Sequence, residues 1–278
     1  MTSLAEETGN RFQPREDDPP VVFEHVSIAF DRNEVLKDVS FTLRQGETRL
    51  LLGPAGGGKS VLLKLANGLL RPDSGRIFIF GQEITAMDEK DIFALRAYVG
   101  MVFQEGALFD SLNIRDNVGY RMMEEGVAAD EIDERVLRAL KFVELDKTME
   151  KFPSQLSGGM RRRVAIARAI ITHPRLLLYD SPTGGLDPIT STNIIALCMK
   201  QRDVYNTSSI LITHRLQDAF MLATHTFDKD KNDMVALPAG QADVDTSFLV
   251  LHEGRIVFDG PTHDLVNSND PFLKEYLS

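Results

Sequence analysis

Apolar and polar residues alternate over 21–28, a strand pattern closed by a polar turn at 31–34. A second strand is expected over 39–43 and a third over 48–52, separated by Gln45-Gly46-Glu47. The third runs directly into Gly53-Pro54-Ala55-Gly56-Gly57-Gly58-Lys59-Ser60, and residues 61–66 then have helical spacing that stops at Arg71-Pro72. Further strands are expected over 77–80 and 98–103. From about 114 to 151 the pattern turns helical with interspersed charges, and a helix over about 160–171 ends at His173-Pro174. An apolar strand at 176–179 precedes a helix opened by Pro188 and running toward Tyr205. Another strand covers 209–213 and a short helix 216–223. Residues 228–245 break the rhythm: with five Asp, two Lys and Pro238-Ala239-Gly240, they read as an inserted loop, taken to about 247. A hairpin over 248–258 and two short helices in 261–278 follow.

The 278 residues, 43% apolar and 26% charged, fit one large α/β domain over 21–260, with a helical subdomain at about 105–172. Residues 1–20 are polar and acidic and read as a disordered tail without the apolar centre of a secretory signal. No run approaches the roughly 18 apolar residues that span a bilayer. The net charge of −10 excludes a general nucleic-acid binder and disfavours adhesion to anionic lipid. Cys198 is the single cysteine, so no intramolecular disulfide or multi-cysteine zinc site is available, and a reducing compartment fits best. The basic run Arg161-Arg162-Arg163 reads as a solvated helix face.

Candidate chemistry starts at residues 53–60, which match the phosphate-loop pattern G-x-x-x-x-G-K-[ST] at every fixed position, between a strand and a helix. Glycines let backbone N–H groups wrap phosphates without Cβ clashes, and the helix behind points its unpaired donors at the same anion. Lys59 would neutralise the β- and γ-phosphates of ATP and the Ser60 hydroxyl would ligate Mg²⁺. Asp180, after four apolar residues, sits at a strand's C-terminal edge, where a carboxylate can hold the metal's water shell; an Asp capping the next turn is the alternative. Ser157-Gly158-Gly159 can cap the following helix and admit an anion to its N-terminus.

With Leu156-Ser157-Gly158-Gly159-Met160 the sequence resembles the ABC ATPase family, whose signature is LSGGQ. The resemblance covers about 21–260. It implies a P-loop NTPase nucleotide-binding domain with a RecA-like core, an antiparallel β subdomain and an α-helical signature subdomain. It also implies a head-to-tail dimer of two copies enclosing ATP and Mg²⁺. Gln104 matches the glutamine that touches Mg²⁺ and the attacking water, Asp187 the dimer-communicating D-loop, and His214 the switch histidine. Phe30 is a weaker match to the adenine-stacking aromatic, with a core Phe as the alternative. Residues 106–112 (GALFDSL) and the Met-Arg-Arg-Arg after the signature are most similar to the Mla/Mce group. That likeness implies lipid transport at the cytoplasmic face of a bacterial inner membrane, with an MlaE-type permease moved through a groove around 104–112 and an MCE-domain lipid-binding protein.

The chain departs from the family at Ser181, where the family has the Glu that activates water. Losing a general base costs about 10²- to 10⁴-fold, or roughly 3–5 kcal/mol of barrier. Three readings stand: His214 or a water network carries a slow ATPase, the protein is an ATP-binding switch, or the residue was altered to trap the ATP-bound dimer. A soluble non-transport relative is the remaining alternative; those carry two cassettes or a long coiled coil, and neither is present here.

Overall fold

The computed structural model describes Arg15 and residues 17–278, so most of the expected tail over 1–20 lies outside the described residues. At its near end the Phe80 amide already donates to the Pro20 carbonyl at 3.2 Å. Strands β1 (Val21–Phe30), β2 (Asn33–Leu43), β4 (Ser74–Ile79) and β5 (Gln82–Glu83) form an antiparallel sheet in the order β2-β1-β4-β5. The larger sheet holds β3 (Thr48–Leu52), β6 (Val99–Val102), β7 (Leu176–Asp180), β8 (Ser208–Ile212), β11 (Thr246–His252) and β12 (Arg255–Pro261). Its order is β12-β11-β3-β8-β7-β6, parallel except for β12.

The continuous apolar runs of the parallel strands come from burial on both faces. Leu50, Leu52, Leu177, Tyr179 and Leu211 pack into one core; Leu51, Leu176, Leu178, Ile210 and Ile212 pack into the other. The first core lies under α3 (Ile114–Glu124), α4 (Ala129–Phe142) and α5 (Gly158–Ile170). The second lies between the two sheets and includes α1 (Lys59–Ala66). The helical stretch expected from 114 is therefore two helices, broken at Gly126, whose φ is +73°.

Other elements differ from the sequence reading as well. β2 begins at Asn33 rather than 39, because its polar first half pairs back onto the end of β1. Helix α2 (Glu89–Leu95) went unread; Asp88 caps it by accepting from the Asp91 amide at 2.8 Å. α5 starts two residues early because Ser157 caps it. The inserted loop is a β-hairpin in its first half: β9 (His225–Asp228) pairs with β10 (Asp233–Ala236). Its charged residues fill the turn, where the Asp228 carboxylate accepts from the Asp230 and Lys231 amides. Its second half is tied down as well, since buried Arg202 pairs with Asp243 at 3.1 Å. Arg202 belongs to α6 (Pro188–Tyr205), which begins at the expected proline. Then come α7 (Leu216–Thr224), and at the end α8 (Thr262–Val266) and α9 (Pro271–Leu277).

Candidate functional site

Register aligns the candidate residues along one edge. Leu51 and Asp180 both pair with Ile212, and Val102 pairs with Tyr179. Strand spacing is about 4.8 Å, so Gly53, Asp180, His214 and Gln104 all emerge at the C-terminal ends of neighbouring parallel strands. In open α/β sheets ligands bind at that edge.

Two glycines of the loop are required by contact. Gly53 has φ +137°, and a Cβ there would stand 2.1 Å from the Leu251 carbonyl oxygen. Gly58 has φ +88°, and its Cβ would stand 2.9 Å from the Val35 oxygen. The loop is thus wedged between the ends of β11 and β2, while Pro54, Ala55 and Gly56 remain exposed and Gly57 donates back to Pro54. No side chain caps α1, which leaves its first N–H groups for an anion.

The Lys59 ammonium donates to the Gly53 and Pro54 carbonyls at 2.8 and 2.7 Å. Burial lowers its pKa, and the negative Asp180 opposes that shift. The Ser60 hydroxyl donates to Asp180 Oδ1 at 3.2 Å, and Asp180 is 8% exposed. The exposed His214 has its pKa lowered, first by desolvation and then by Lys59, against the pull of Asp180. Lys59, Asp180 and His214 therefore share one electrostatic neighbourhood. Ser181 is 2% exposed with φ +48°, and its hydroxyl has no hydrogen-bond partner. Exposed Gln104 meets Ser181 across Gly184, whose Cβ would stand 3.6 Å from Gln104 Nε2 and 3.6 Å from Ser181 Cβ.

The other candidates cluster around the start of α5. Ser157 Oγ accepts from the Met160 amide at 3.2 Å, and Ser157 and Gly158 are exposed. Gly159 is needed for packing, since a Cβ there would meet Thr190 Cγ2 at 2.4 Å. Thr190 is held in turn by Asp187, which caps α6 and accepts the Thr190 hydroxyl at 2.6 Å. That hydroxyl also draws the Asp187 carboxyl below its usual pKa. Phe30 is 42% exposed at the tip of the β1–β2 hairpin, whose second strand contacts the loop at Gly58.

The basic run is only in part the solvated face expected of it, with Arg161 exposed and Arg163 half-buried. Arg162 is 7% exposed and donates to the carbonyls of Phe103 and Gly184 at 3.1 and 3.2 Å. Burial lowers its pKa, opposed by Glu105. Arg168 holds the Gly106 and Ala107 carbonyls from the same helix. The available signal was spacing: 162, 165, 166 and 169 share the buried face of α5. Sequence reading also missed the exposed Phe93 and Tyr120; the Tyr120 ring lies 4.8 Å from Phe109, and Arg121 stands over Phe93.

The residues fit a magnesium polyphosphate. A buried ammonium and an uncapped helix end face an open glycine loop, and a hydroxyl–carboxylate pair offers hard oxygen donors. No cluster of three His, Cys, Asp or Glu that could hold a metal exists among the described residues. Mg²⁺ does not need one, since it usually keeps waters and phosphate oxygens beside one or two protein ligands.

A sequence model described as "ABC transporter" matches residues 36–184. The chain is similar to Protein TRIGALACTOSYLDIACYLGLYCEROL 3, chloroplastic, of Arabidopsis thaliana, 36% identical across 99% of this chain and 79% of that one. It is 32% identical to Methionine import ATP-binding protein MetN of Bifidobacterium longum, across 94% of this chain and 62% of that one. It is also 32% identical to Probable ribonucleotide transport ATP-binding protein mkl of Mycobacterium tuberculosis, across 90% and 64%. Among solved structures, a dimeric ATP-binding cassette in a post-hydrolysis state, bound to ADP and Pi, superposes with a TM-score of 0.73. Identity is 26%, covering 87% of this chain and 98% of that one. A Clostridium perfringens protein, part of the ABC transporter complex cbiONQ, gives 0.75 at 27% identity, covering 94% and 95%.

Proposed function

The chain belongs to the ABC transporter family as an ATP-binding subunit, and we propose that it is the ATP-hydrolysing motor of a bacterial lipid transporter, acting as a head-to-tail dimer. The observation that carries the ATP reading is the junction of Ser60 with Asp180 beneath a glycine loop backed by Lys59. In this reading Gly53 to Ser60 cradle the phosphates, and Ser60, Asp180 and Gln104 hold Mg²⁺, partly through water. Bound Mg²⁺ neutralises phosphate charge as it shifts during transfer. Ser157, Gly158 and Gly159 of the second copy close on the same nucleotide, Asp187 senses the closure, and Phe30 stacks on adenine. His214, kept neutral by its lowered pKa, accepts a hydrogen bond or a proton near the attacking water.

The lipid cargo rests on a narrower base. The Arabidopsis relative bears the name of a glycolipid, and residues 106–112 with Met160 to Arg163 resemble the Mla/Mce group. The relatives named for methionine and ribonucleotides leave the cassette chemistry in common and the cargo different, as expected where the permease chooses the cargo. No described helix is long and apolar enough to cross a membrane. In this reading a docked permease, of MlaE type, carries out the work in the membrane, with an MCE-domain protein beyond it. The exposed Phe93, Phe109 and Tyr120 offer that permease aromatic contacts.

Affinity purification of the full chain from membranes tests the reading. A multi-span permease with bound phospholipid should co-elute, and the complex should release phosphate from ATP. A soluble partner alone would overturn the transport reading, and a permease carrying only polar solute would overturn the lipid one. A second reading, an ATP-binding switch with little turnover, is favoured by Ser181 alone; ATP-dependent closure without phosphate release would establish it.

A further inference from the structure

The last helix of the chain reaches the first residue of the phosphate loop. The Tyr276 hydroxyl in α9 accepts from the Gly53 amide at 3.0 Å and donates to the Gly53 carbonyl at 3.3 Å. A phenol has one donor and spare lone pairs, so both bonds can stand together. Gly53 has no freedom on its other side, where the Leu251 carbonyl blocks any Cβ. The Tyr276 ring stacks on Phe272 at 5.8 Å, and Phe272 lies on His252 at 3.8 Å. His252 ends β11, the strand beside β3. The helix is thus fastened to β11 by aromatic contact and to the loop by its hydroxyl. The matched family region ends at residue 184, well before it.

We propose that Tyr276 is a positioning residue for the phosphate loop, so that docking of the C-terminal helix sets nucleotide affinity. This deepens the ATP-binding reading and rests on it. The Gly53 carbonyl accepts from both Lys59 and Tyr276. When the Lys59 ammonium turns to a phosphate, that part-buried carbonyl keeps one side-chain donor, Tyr276. Leaving a buried acceptor or donor unpaired is costly. Without the phenol, the nucleotide-bound state leaves the carbonyl stripped and the Gly53 amide unpaired. The free state still has Lys59 on the carbonyl. The hydroxyl therefore favours the bound state over the free one, which a general structural prop would not do.

Tyr276→Phe removes the hydroxyl and keeps the stacked ring. Calorimetry with Mg-ATP on the full chain should show Kd rising about fivefold, equivalent to ~1 kcal/mol. KM for ATP should rise with it, turnover at saturation should change little, and the nucleotide-free melting temperature should fall by only a few degrees, because the Gly53 amide loses its partner in both states whereas the carbonyl loses its last donor only in the bound one. Lys274→Ala on the same helix is the control, because Lys274 bonds Asn269 and not the loop; its affinity should match the parent. Equal affinity for Tyr276→Phe and parent overturns the proposal, and so does an equal loss in both variants. A parent chain that binds no Mg-ATP overturns this proposal and the ATP-binding reading together. Should Tyr276→Phe not fold, amide exchange in the unmutated protein decides: a slow Gly53 amide supports the bond, and a fast one overturns it.

Discussion

Ser181 follows Asp180 directly, and its buried hydroxyl meets no partner. A hydroxyl is too weak a base to take a proton from water at neutral pH, whereas a carboxylate at this position lies one residue from the Ser60–Asp180 pair. Ser181→Glu is expected to raise steady-state ATP hydrolysis at least ~tenfold, measured as phosphate release at saturating ATP. An unchanged rate would show that another group already does the work. In the proposed mechanism His214 takes that role, and its depressed pKa sets the sign of the pH profile. Desolvation and Lys59 keep the imidazole neutral to lower pH than an ordinary histidine, so parent activity should hold as pH falls and be lost at a lower pH than an unshifted histidine would give. In Ser181→Glu this acid limb should no longer limit the rate. At this scale much of the candidate site was legible, because the loop, the Asp after an apolar strand and the Ser157 cap are written in contiguous residues. Arg162 and Tyr276 were not legible. Their partners lie 22, 59 and 223 residues away, and only packing brings them together.

Among the elements, α5 joins the most parts of the site. Its N-terminus is capped by Ser157, Gly159 seats it on Thr190, and Arg162 ties the segment before Gln104 to the one before Asp187. Arg162 is a buried cation with two carbonyl acceptors, so its desolvation offsets much of what those bonds contribute to stability. Arg162→Leu should therefore leave the melting temperature within a few degrees while lowering turnover about tenfold. Arg162→Lys should restore only part, since an ammonium lacks the fork that spans both carbonyls. A large loss of stability with turnover per folded molecule intact would refute the tether. Element-scale legibility followed local signals. α6 was found from Pro188 and the parallel strands from their apolar runs. α2 was missed because its seven residues bury only Ile92 and Leu95. The β9–β10 hairpin was missed because its turn carries the charge density of a solvated loop.

For the whole molecule, the decisive matter is which two helix ends face one nucleotide. α1 opens at Lys59 and α5 behind Ser157, and the proposal pairs the first from one copy with the second from the other. That arrangement makes a distinct prediction about mixtures. Lys59→Ala disables the loop half of a site and Ser157→Arg the signature half, so each variant alone should be nearly inactive. In a mixed dimer of head-to-tail type, one site collects both defects and the other receives neither. Equal mixing with free exchange should then recover about a quarter of the parent activity, because half the dimers are mixed and each keeps one of two sites. If both ends served a nucleotide within one chain, every protomer in the mixture would carry a defect and no activity would return. A chain carrying both substitutions sharpens the test. Mixed with parent, it spoils both sites of every mixed dimer, leaving only parent pairs active, again about a quarter. Within a single chain, half the protomers would remain active. Phosphate release from the two mixtures thus separates the geometries in opposite directions: recovery against none in the first, a quarter against a half in the second.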